Sequence, residues 1–246
     1  MNTQPILFCG DPHDRFDHIL RAAELLNPMA IVLLGDIEPE QSLHLELTAI
    51  DPQKLWFIHG NHDTDSEQNW HHLWGSQLAE RTIHGRVVEL PNGLKLAGLG
   101  GVFRESVWYP GLQSQARFES RACHARSTPR QDRWQGSVHR KHWSSIYPDE
   151  FKALAIQRAD ILVTHEAPGY HPNGFEILDD LARSMGVKLS VHGHQHDRLD
   201  SSHRWGQQGF KSFGVGLCGI TAIDIDGHAE VIFSGDLDHQ PHLPGA

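Results

Sequence analysis

The sequence has few of the residues that build disulfide frameworks, zinc fingers or membrane spans. Its 246 residues include three cysteines, Cys9, Cys123 and Cys218, and no two of them are close together. An odd number of cysteines without a CxxC pair argues against a disulfide framework or a structural zinc site and favours a reducing compartment. No apolar run approaches the roughly 20 residues that span a membrane, and the first residues lack a basic stretch. The sequence therefore predicts a cytoplasmic protein without membrane contact.

Positive charge is also scarce. The chain has 21 Lys and Arg against 31 Asp and Glu, a formal net charge of −10. An acidic protein repels a nucleic-acid backbone, so extensive binding to duplex nucleic acid is not expected. Residues 104–148, here called the basic segment, are the exception, with eight basic against three acidic side chains, a net charge of +5. They are either a solvated surface excursion or a local positive field that attracts anionic substrates.

Histidine, in contrast, is abundant, with 20 residues. Such a composition hints at metal chemistry, although most histidines outside the patches described below are expected at the surface. The length suits one α/β domain over residues 1–246. We interpret the basic segment as an irregular insertion in that domain, near the active site.

Apolar runs alternate with helical patterns in the first sixty residues. Runs at residues 6–9, 31–34 and 55–58 predict strands, and patterns at residues 14–26 and 41–50 predict helices between them. This alternation is typical of a mainly parallel sheet with helices packed on it.

A hairpin within residues 82–101 is predicted to add antiparallel strands. Pro91-Asn92-Gly93 lies between two apolar runs and predicts a hairpin. Strands are also predicted at residues 161–163 and 189–191 and in the C-terminal third, at 210–215, 219–225 and 229–233, with Asp226-Gly227 as the last turn. Residues 236–246 are expected to form a loose tail.

Five short polar patches follow apolar runs of this kind. In a parallel sheet the ligand site lies beyond the carboxyl ends of the strands, so five such patches can deliver side chains to one place. Any one of them alone is an ordinary turn, but five in succession indicate a shared site. The patches are Gly10-Asp11-Pro12-His13, Gly35-Asp36, Gly60-Asn61-His62-Asp63, Thr164-His165-Glu166 and His192-Gly193-His194-Gln195-His196.

The Asp, His and Asn side chains in these patches are of the types that bind metal ions. Oxygen and imidazole donors without thiolate suit Mn²⁺, Fe or Zn²⁺, and we expect Mn²⁺ first. Asp11 and His13 lie two residues apart and point to the same side of an extended segment, as do His194 and His196. A single ion held by these two pairs would leave Asp36, Asn61 and His165 unused. Two ions sharing Asp36 account for all seven residues.

The patches resemble, in order and type, the DxH, GD, GNH[DE], H and GHxH motifs of the calcineurin-like metallophosphoesterases. The match spans most of the chain, from Asp11 to His196. The resemblance implies an α/β fold, a four-layer αββα sandwich of two mixed β-sheets flanked by helices, and a dinuclear centre. It also implies that Asp11, His13, Asp36 and His196 hold one ion, and that Asp36, Asn61, His165 and His194 hold the other.

The residues that follow the ligands bear on catalysis. By the same resemblance His62 is the general acid, and Asp63 is expected to orient its ring. The GDxVDRG motif of the protein-phosphatase branch is replaced here by Gly35-Asp36-Ile37-Glu38-Pro39, which argues against a dedicated Ser/Thr protein phosphatase. Because guanidinium groups bind phosphate bidentately, Arg104 and, less favourably, Arg15 are candidate substrate contacts.

The leading hypothesis is a metal-dependent hydrolase of phosphomonoesters or phosphodiesters. A nucleotide phosphodiesterase or nuclease is an alternative, in which aromatic residues of the basic segment stack on bases, although such residues more often pack internally. A non-catalytic, protein-binding scaffold on the same fold is a third, and the intact ligand set with His62 argues against it. The aromatic residues are Trp108, Tyr109, Trp134, Trp143 and Tyr147.

Overall fold

The computed structural model describes residues 4–112, 115–224 and 226–238. Three predictions extend beyond them. Residues 113–114 of the basic segment, residue 225 of a predicted strand and residues 239–246 of the predicted tail lie outside the described residues. Among the helices that are described, none is both long and apolar enough to cross a membrane.

The first sheet begins as predicted, with three parallel strands joined by helices. Strands β1 (Ile6–Cys9), β2 (Ala30–Leu34) and β3 (Leu55–Ile58) are connected by helices α1 (Asp17–Leu26) and α2 (Leu43–Glu46). Helix α2 is one turn long, shorter than the prediction for residues 41–50. Leu43, Leu47 and Ile50 are nevertheless buried in the core, whereas Leu45 is exposed.

Two strands from the end of the chain complete this sheet. They are β9 (Ile220–Ile223) and β10 (Ala229–Phe233), and they add antiparallel strands beside β1. Gly227 adopts a φ of +77° in the turn between them, where the sequence predicted a turn. The resulting order is β10-β9-β1-β2-β3.

The second sheet contains five strands in the order in which they occur along the chain. The strands are β4 (Arg86–Glu89), β5 (Lys95–Leu99), β6 (Ile161–Thr164), β7 (Leu189–His192) and β8 (Lys211–Gly214). Strands β4 and β5 form the predicted antiparallel hairpin, with Gly93 at a φ of +83° in its turn, and β5 to β8 are parallel. The remaining helices are α3 (Glu67–Trp74), α4 (Arg121–Ser127), α5 (Pro148–Ala155), α6 (Glu176–Met185) and α7 (Trp205–Gln208).

Three buried apolar clusters hold these elements in four layers. The central cluster lies between the sheets, where Phe8 and Val32 of the first meet Val163 and Val191 of the second. A second cluster joins the outer face of the first sheet to α1, α2 and α3. The third joins the outer face of the second sheet to α5 and α6. The fold is therefore the predicted αββα sandwich of two mixed sheets.

Candidate metal centre

Two groups of potential metal ligands lie at the carboxyl ends of the parallel strands and share one residue. His13, Asp36 and His196 each offer a ligand atom, and these atoms all lie within 4.8 Å of one another. The same holds for Asp36, His165 and His194. Asp36, which follows β2, belongs to both groups.

The orientation of these atoms fits cations. The Nε2 atoms of His13 and His196 lie 3.5 Å apart, an arrangement expected when two imidazole lone pairs point towards one positive ion. Asp36 uses Oδ1 to accept the His62 N–H at 2.8 Å. Its buried Oδ2 lies 3.4 Å from His165 Nε2 and accepts no hydrogen bond from the described residues. A buried carboxylate oxygen without a hydrogen bond is costly, and a bound cation would satisfy it.

Asn61 and Asp11 lie beside these two groups. Asn61 Oδ1 is 3.2 Å from His165 Nε2, so its carbonyl oxygen faces the second group. Both carboxylate oxygens of the fully buried Asp11 accept the His194 N–H, at 3.0 and 2.9 Å. Asp11 thereby joins the loop after β1 to the loop after β7. The structure brings all seven predicted ligands to the carboxyl ends of the strands. Asp11 lies beside the two ligand groups and belongs to neither.

Negative charge dominates this buried edge. Burial, together with the neighbouring Asp36, raises the pKa of Asp11 to about 7. Burial opposes a charged His165, yet Asp36 and Asp11 outweigh it and raise the pKa of His165 to about 10. Burial opposes the charge of Asp36 as well, but the neighbouring His165 outweighs it and lowers the pKa of Asp36. Positive charge beside Asp36 and Asp11 is therefore favourable, and divalent cations would supply it.

The loops that carry the ligands have strained backbone. Positive φ is uncommon for residues other than glycine and clusters at functional sites. Of the seven predicted ligands, five have φ between +37° and +66°. They are Asp11, His13, Asp36, His194 and His196.

Asp63 does not orient His62, contrary to the prediction. Its Oδ1 accepts the backbone N–H groups of Ile37 at 2.8 Å and Glu38 at 2.9 Å, and its Oδ2 accepts that of Gly60 at 2.7 Å. The side chain is fully buried, so these three hydrogen bonds tie the Asp36 loop to the Asn61 loop. Asp63 therefore fixes the loops that carry Asp36 and Asn61, and the carboxylate that meets the His62 ring belongs to another residue.

Two acidic residues that the sequence did not single out contact the site histidines. Asp65 Oδ2 lies 2.6 Å from His62 Nδ1, and this is the contact that the prediction assigned to Asp63. Glu38 Oε2 lies 2.5 Å from His13 Nδ1, leaving Nε2 of His13 directed to His196. Such carboxylate–imidazole contacts fix the tautomer and orientation of a ligating or catalytic histidine. Their only sequence signal is acidic character close to a motif.

The two candidate arginines have different surroundings. Arg104 is partly buried and donates from Nη2 to Ser144 Oγ at 3.3 Å, while its buried Nε has no hydrogen-bond partner among the described residues. Burial lowers the pKa of Arg104, although Asp65, Glu166 and Asp36 are near enough to act on its charge. Arg15 is directed elsewhere, since its guanidinium contacts Cys218 Sγ and pairs with Asp236 at 2.6 Å.

The aromatic residues of the basic segment contact other aromatic rings of the protein, which gives no support to the nuclease alternative. Trp134 and Trp143 pack at right angles against Trp70 of α3, with ring centroids 5.8 and 5.0 Å away. Trp108 packs against Phe103, and Tyr147 is fully buried. These aromatic residues anchor the segment to the core.

Comparisons with known proteins agree with this geometry. A curated relative, an uncharacterized protein from Haemophilus influenzae, is 41% identical over 194 residues, which cover 79% of this chain and 84% of the relative. The crystal structure of TT1561 from Thermus thermophilus shares the fold, with a TM-score of 0.62 and 14% identity. That similarity covers 94% of this chain and 99% of the other. The family model for calcineurin-like phosphoesterases matches residues 4–198, and the chain belongs to this family.

Proposed function

We propose that the protein is a metal-dependent hydrolase of phosphomonoesters or phosphodiesters, with a dinuclear centre bridged by Asp36. The main support for this proposal is that Asp36 belongs to both groups of potential metal ligands. Asp11, His13 and His196 would complete one site with Asp36, and Asn61, His165 and His194 the other.

The donor set suits two divalent ions, with Mn²⁺ favoured and Fe or Zn²⁺ as alternatives. When bound, the two ions would supply a water of lowered pKa and would neutralise charge on the phosphate. The proposal requires no serine or cysteine nucleophile from the chain. Instead, the chain's own residues orient the ester and manage the proton of the leaving group.

His62 is the proposed proton donor to the leaving oxygen. Its Nδ1 contacts Asp65, and its backbone N–H contacts the bridging Asp36, so the ring is held at the edge of the centre. Arg104 is the proposed phosphate contact, because a partly buried guanidinium with a free donor favours an anion. Arg15 is not assigned this role, since Asp236 already pairs with it.

The setting that we propose is a reducing cytoplasm, since Cys9, Cys123 and Cys218 are all free thiols in the structure. We propose residues 1–246 as one metallophosphoesterase domain with residues 104–148 as its insertion. The described contacts of the basic segment do not favour a nucleotide over another phosphate ester.

Removal of metal should abolish hydrolysis. The protein loaded with Mn²⁺ is expected to hydrolyse p-nitrophenyl phosphate, bis(p-nitrophenyl) phosphate or both. The absorbance of the released nitrophenolate measures the rate. Chelation with EDTA should stop the reaction, and added Mn²⁺ should restore it, because the ligands remain folded. A protein that binds no divalent metal and hydrolyses neither ester would refute the proposal.

Substitution of Arg104 should weaken substrate binding more than metal binding. Hydrogen bonds to charged groups contribute about 1.5–3 kcal/mol, so Arg104→Met should lower kcat/KM by about 10- to 100-fold. The matched control is Arg15→Met, whose guanidinium pairs with Asp236 and should matter little to catalysis. Steady-state kinetics and the Mn²⁺ content of both variants check this. Equal losses in the two variants would contradict the assignment of Arg104.

A further inference from the structure

We propose that Arg140 of the basic segment is a positioning residue that holds the proton donor against the metal centre. It acts on the His62 turn, defined here as residues 62–65, which comprises the 3₁₀ helix His62–Thr64 and Asp65. This turn connects Asn61 to α3. The inference rests on the proposed function, because it concerns the residue assigned there as proton donor.

One guanidinium binds two main-chain carbonyls of the turn. Arg140 Nε donates to the Thr64 carbonyl at 3.0 Å, and Nη2 donates to the Asp65 carbonyl at 3.0 Å. These carbonyls lie between the 3₁₀ helix and α3, where helical hydrogen bonding is incomplete. Nη1 lies 3.8 Å from Glu67 Oε1, at the first residue of α3. One side chain thus contacts both the turn and the start of α3.

Only an arginine can make this set of contacts. Its planar guanidinium presents several N–H groups in a fixed fork, whereas a lysine ammonium is a point charge on a flexible stem. The guanidinium carbon of Arg140 also lies 5.4 Å from the ring centroid of Trp134, which itself packs on α3. Arg140 therefore contributes the fixed arrangement of its N–H groups more than its positive charge.

A second contact links the basic segment to the same turn. Ser144 Oγ lies 2.8 Å from Thr64 Oγ1 in the buried interior, and Thr64 Oγ1 donates to the Asn61 carbonyl at 3.2 Å. With the backbone of Asp65 fixed by Arg140, the Asp65 carboxylate is in place to meet His62 Nδ1 at 2.6 Å. The orientation of the His62 ring thus depends on a residue 75 positions further along the chain than Asp65.

These contacts change the interpretation of the basic segment. Arg140 is directed at carbonyl oxygens, and Arg121 is bound to the Trp143 carbonyl and Glu150. Part of the positive charge in residues 104–148 therefore supports internal structure and does not attract anions. Arg126 offers a matched control, because its guanidinium contacts Cys123 of its own helix, at 3.1 Å, and does not hold the His62 turn.

The decisive experiment compares Arg140→Lys with Arg126→Lys in the full-length, Zn²⁺-loaded protein. Long-range ¹H–¹⁵N correlation NMR reports the tautomer and environment of each imidazole. The His62 signals are expected to shift or broaden in Arg140→Lys and to stay unchanged in Arg126→Lys. Unchanged His62 signals in Arg140→Lys, or equal changes in both variants, overturn the proposal whether or not the protein hydrolyses any ester.

Steady-state kinetics provide a second measurement. If Arg140 only stabilised the fold, its substitution would not lower kcat selectively. Small misplacement of a catalytic group can cost about 100-fold, and we expect Arg140→Lys to lower kcat for phenyl phosphate by about 10- to 100-fold with KM little changed. The loss should be smaller for p-nitrophenyl phosphate, whose leaving group departs without a proton.

A double-mutant cycle completes the test. In a His62→Asn background, Arg140→Lys should add almost no further loss, because both substitutions remove the same function. Additive losses would show that Arg140 acts elsewhere and overturn the proposal. An inactive wild-type protein would refute the proposed hydrolase function, while the NMR comparison would still decide the role of Arg140.

Discussion

Replacement of Asp36 by asparagine is expected to remove both metal ions and activity towards every substrate. The amide keeps the shape of the side chain but loses the charge that both ligand groups share. Breaking a buried ionic partnership costs about 3–5 kcal/mol, which corresponds to about 10²- to 10⁴-fold in binding or rate. Metal content after dialysis and hydrolysis of both nitrophenyl esters measure the effect.

Asp180→Asn is the matched control for this substitution. Asp180 is exposed on α6 and pairs with Arg183 at 2.6 Å, far from any predicted ligand in sequence. It should retain full metal content and full activity. Thermal melting followed by circular dichroism separates loss of metal from loss of fold. Full activity of Asp36→Asn would show that the bridging assignment is wrong.

The second large effect is expected for Gly60→Ala, a change of one methyl group. A Cβ at residue 60 would lie 2.2 Å from Asp36 Oδ1, 2.4 Å from Asp36 N and 2.5 Å from His165 Cε1. All three distances are far below van der Waals contact, and the atoms belong to buried groups that have no room to move. Overpacking of a well-packed interior costs about 1–3 kcal/mol, and here the displaced residues are proposed ligands. We expect a loss of metal affinity of at least about tenfold and a lower melting temperature.

Gly206→Ala tests whether alanine at a glycine position is harmful in itself. Gly206 lies in the short helix α7, and apart from its chain neighbours and the backbone of its own helix, no described residue comes within 4 Å of the point that its Cβ would occupy. Since alanine favours helix over glycine by up to about 1 kcal/mol, this variant should be as stable as the parent or slightly more stable. Calorimetry and Mn²⁺ titration of the two variants make the comparison. Normal metal affinity in Gly60→Ala would contradict the close approach of the Asp36 and Asn61 loops.

The prediction for Asp63 shows where sequence reasoning failed. Asp63 follows His62 directly, and an adjacent carboxylate was the simplest partner for the ring. The 3₁₀ helix turns Asp63 inward to three backbone N–H groups, and Asp65, two residues later, faces the ring instead. A local helical turn decides this, and the short polar sequence around it carries no periodic signal.

The basic segment shows a second kind of failure. The sequence showed the positive charge of this segment, but it did not show which groups its arginines bind. Arg140 binds carbonyl oxygens more than 70 residues away in sequence. Main-chain carbonyls are present at every residue, so no pattern of side chains could identify those two.

The sequence by itself determined the strands, the parallel order of the first three, both hairpin turns and the types of residue that follow the strands. Hydrophobic periodicity and turn residues act over a few positions, and they are therefore readable locally. Only the tertiary structure decided how these residues are held in place. Five of the predicted ligands, Asp36 among them, adopt positive φ. Such strained conformations persist only where surrounding packing and long-range hydrogen bonds impose them. Those contacts join residues far apart in the chain, which is why they could not be deduced from its order.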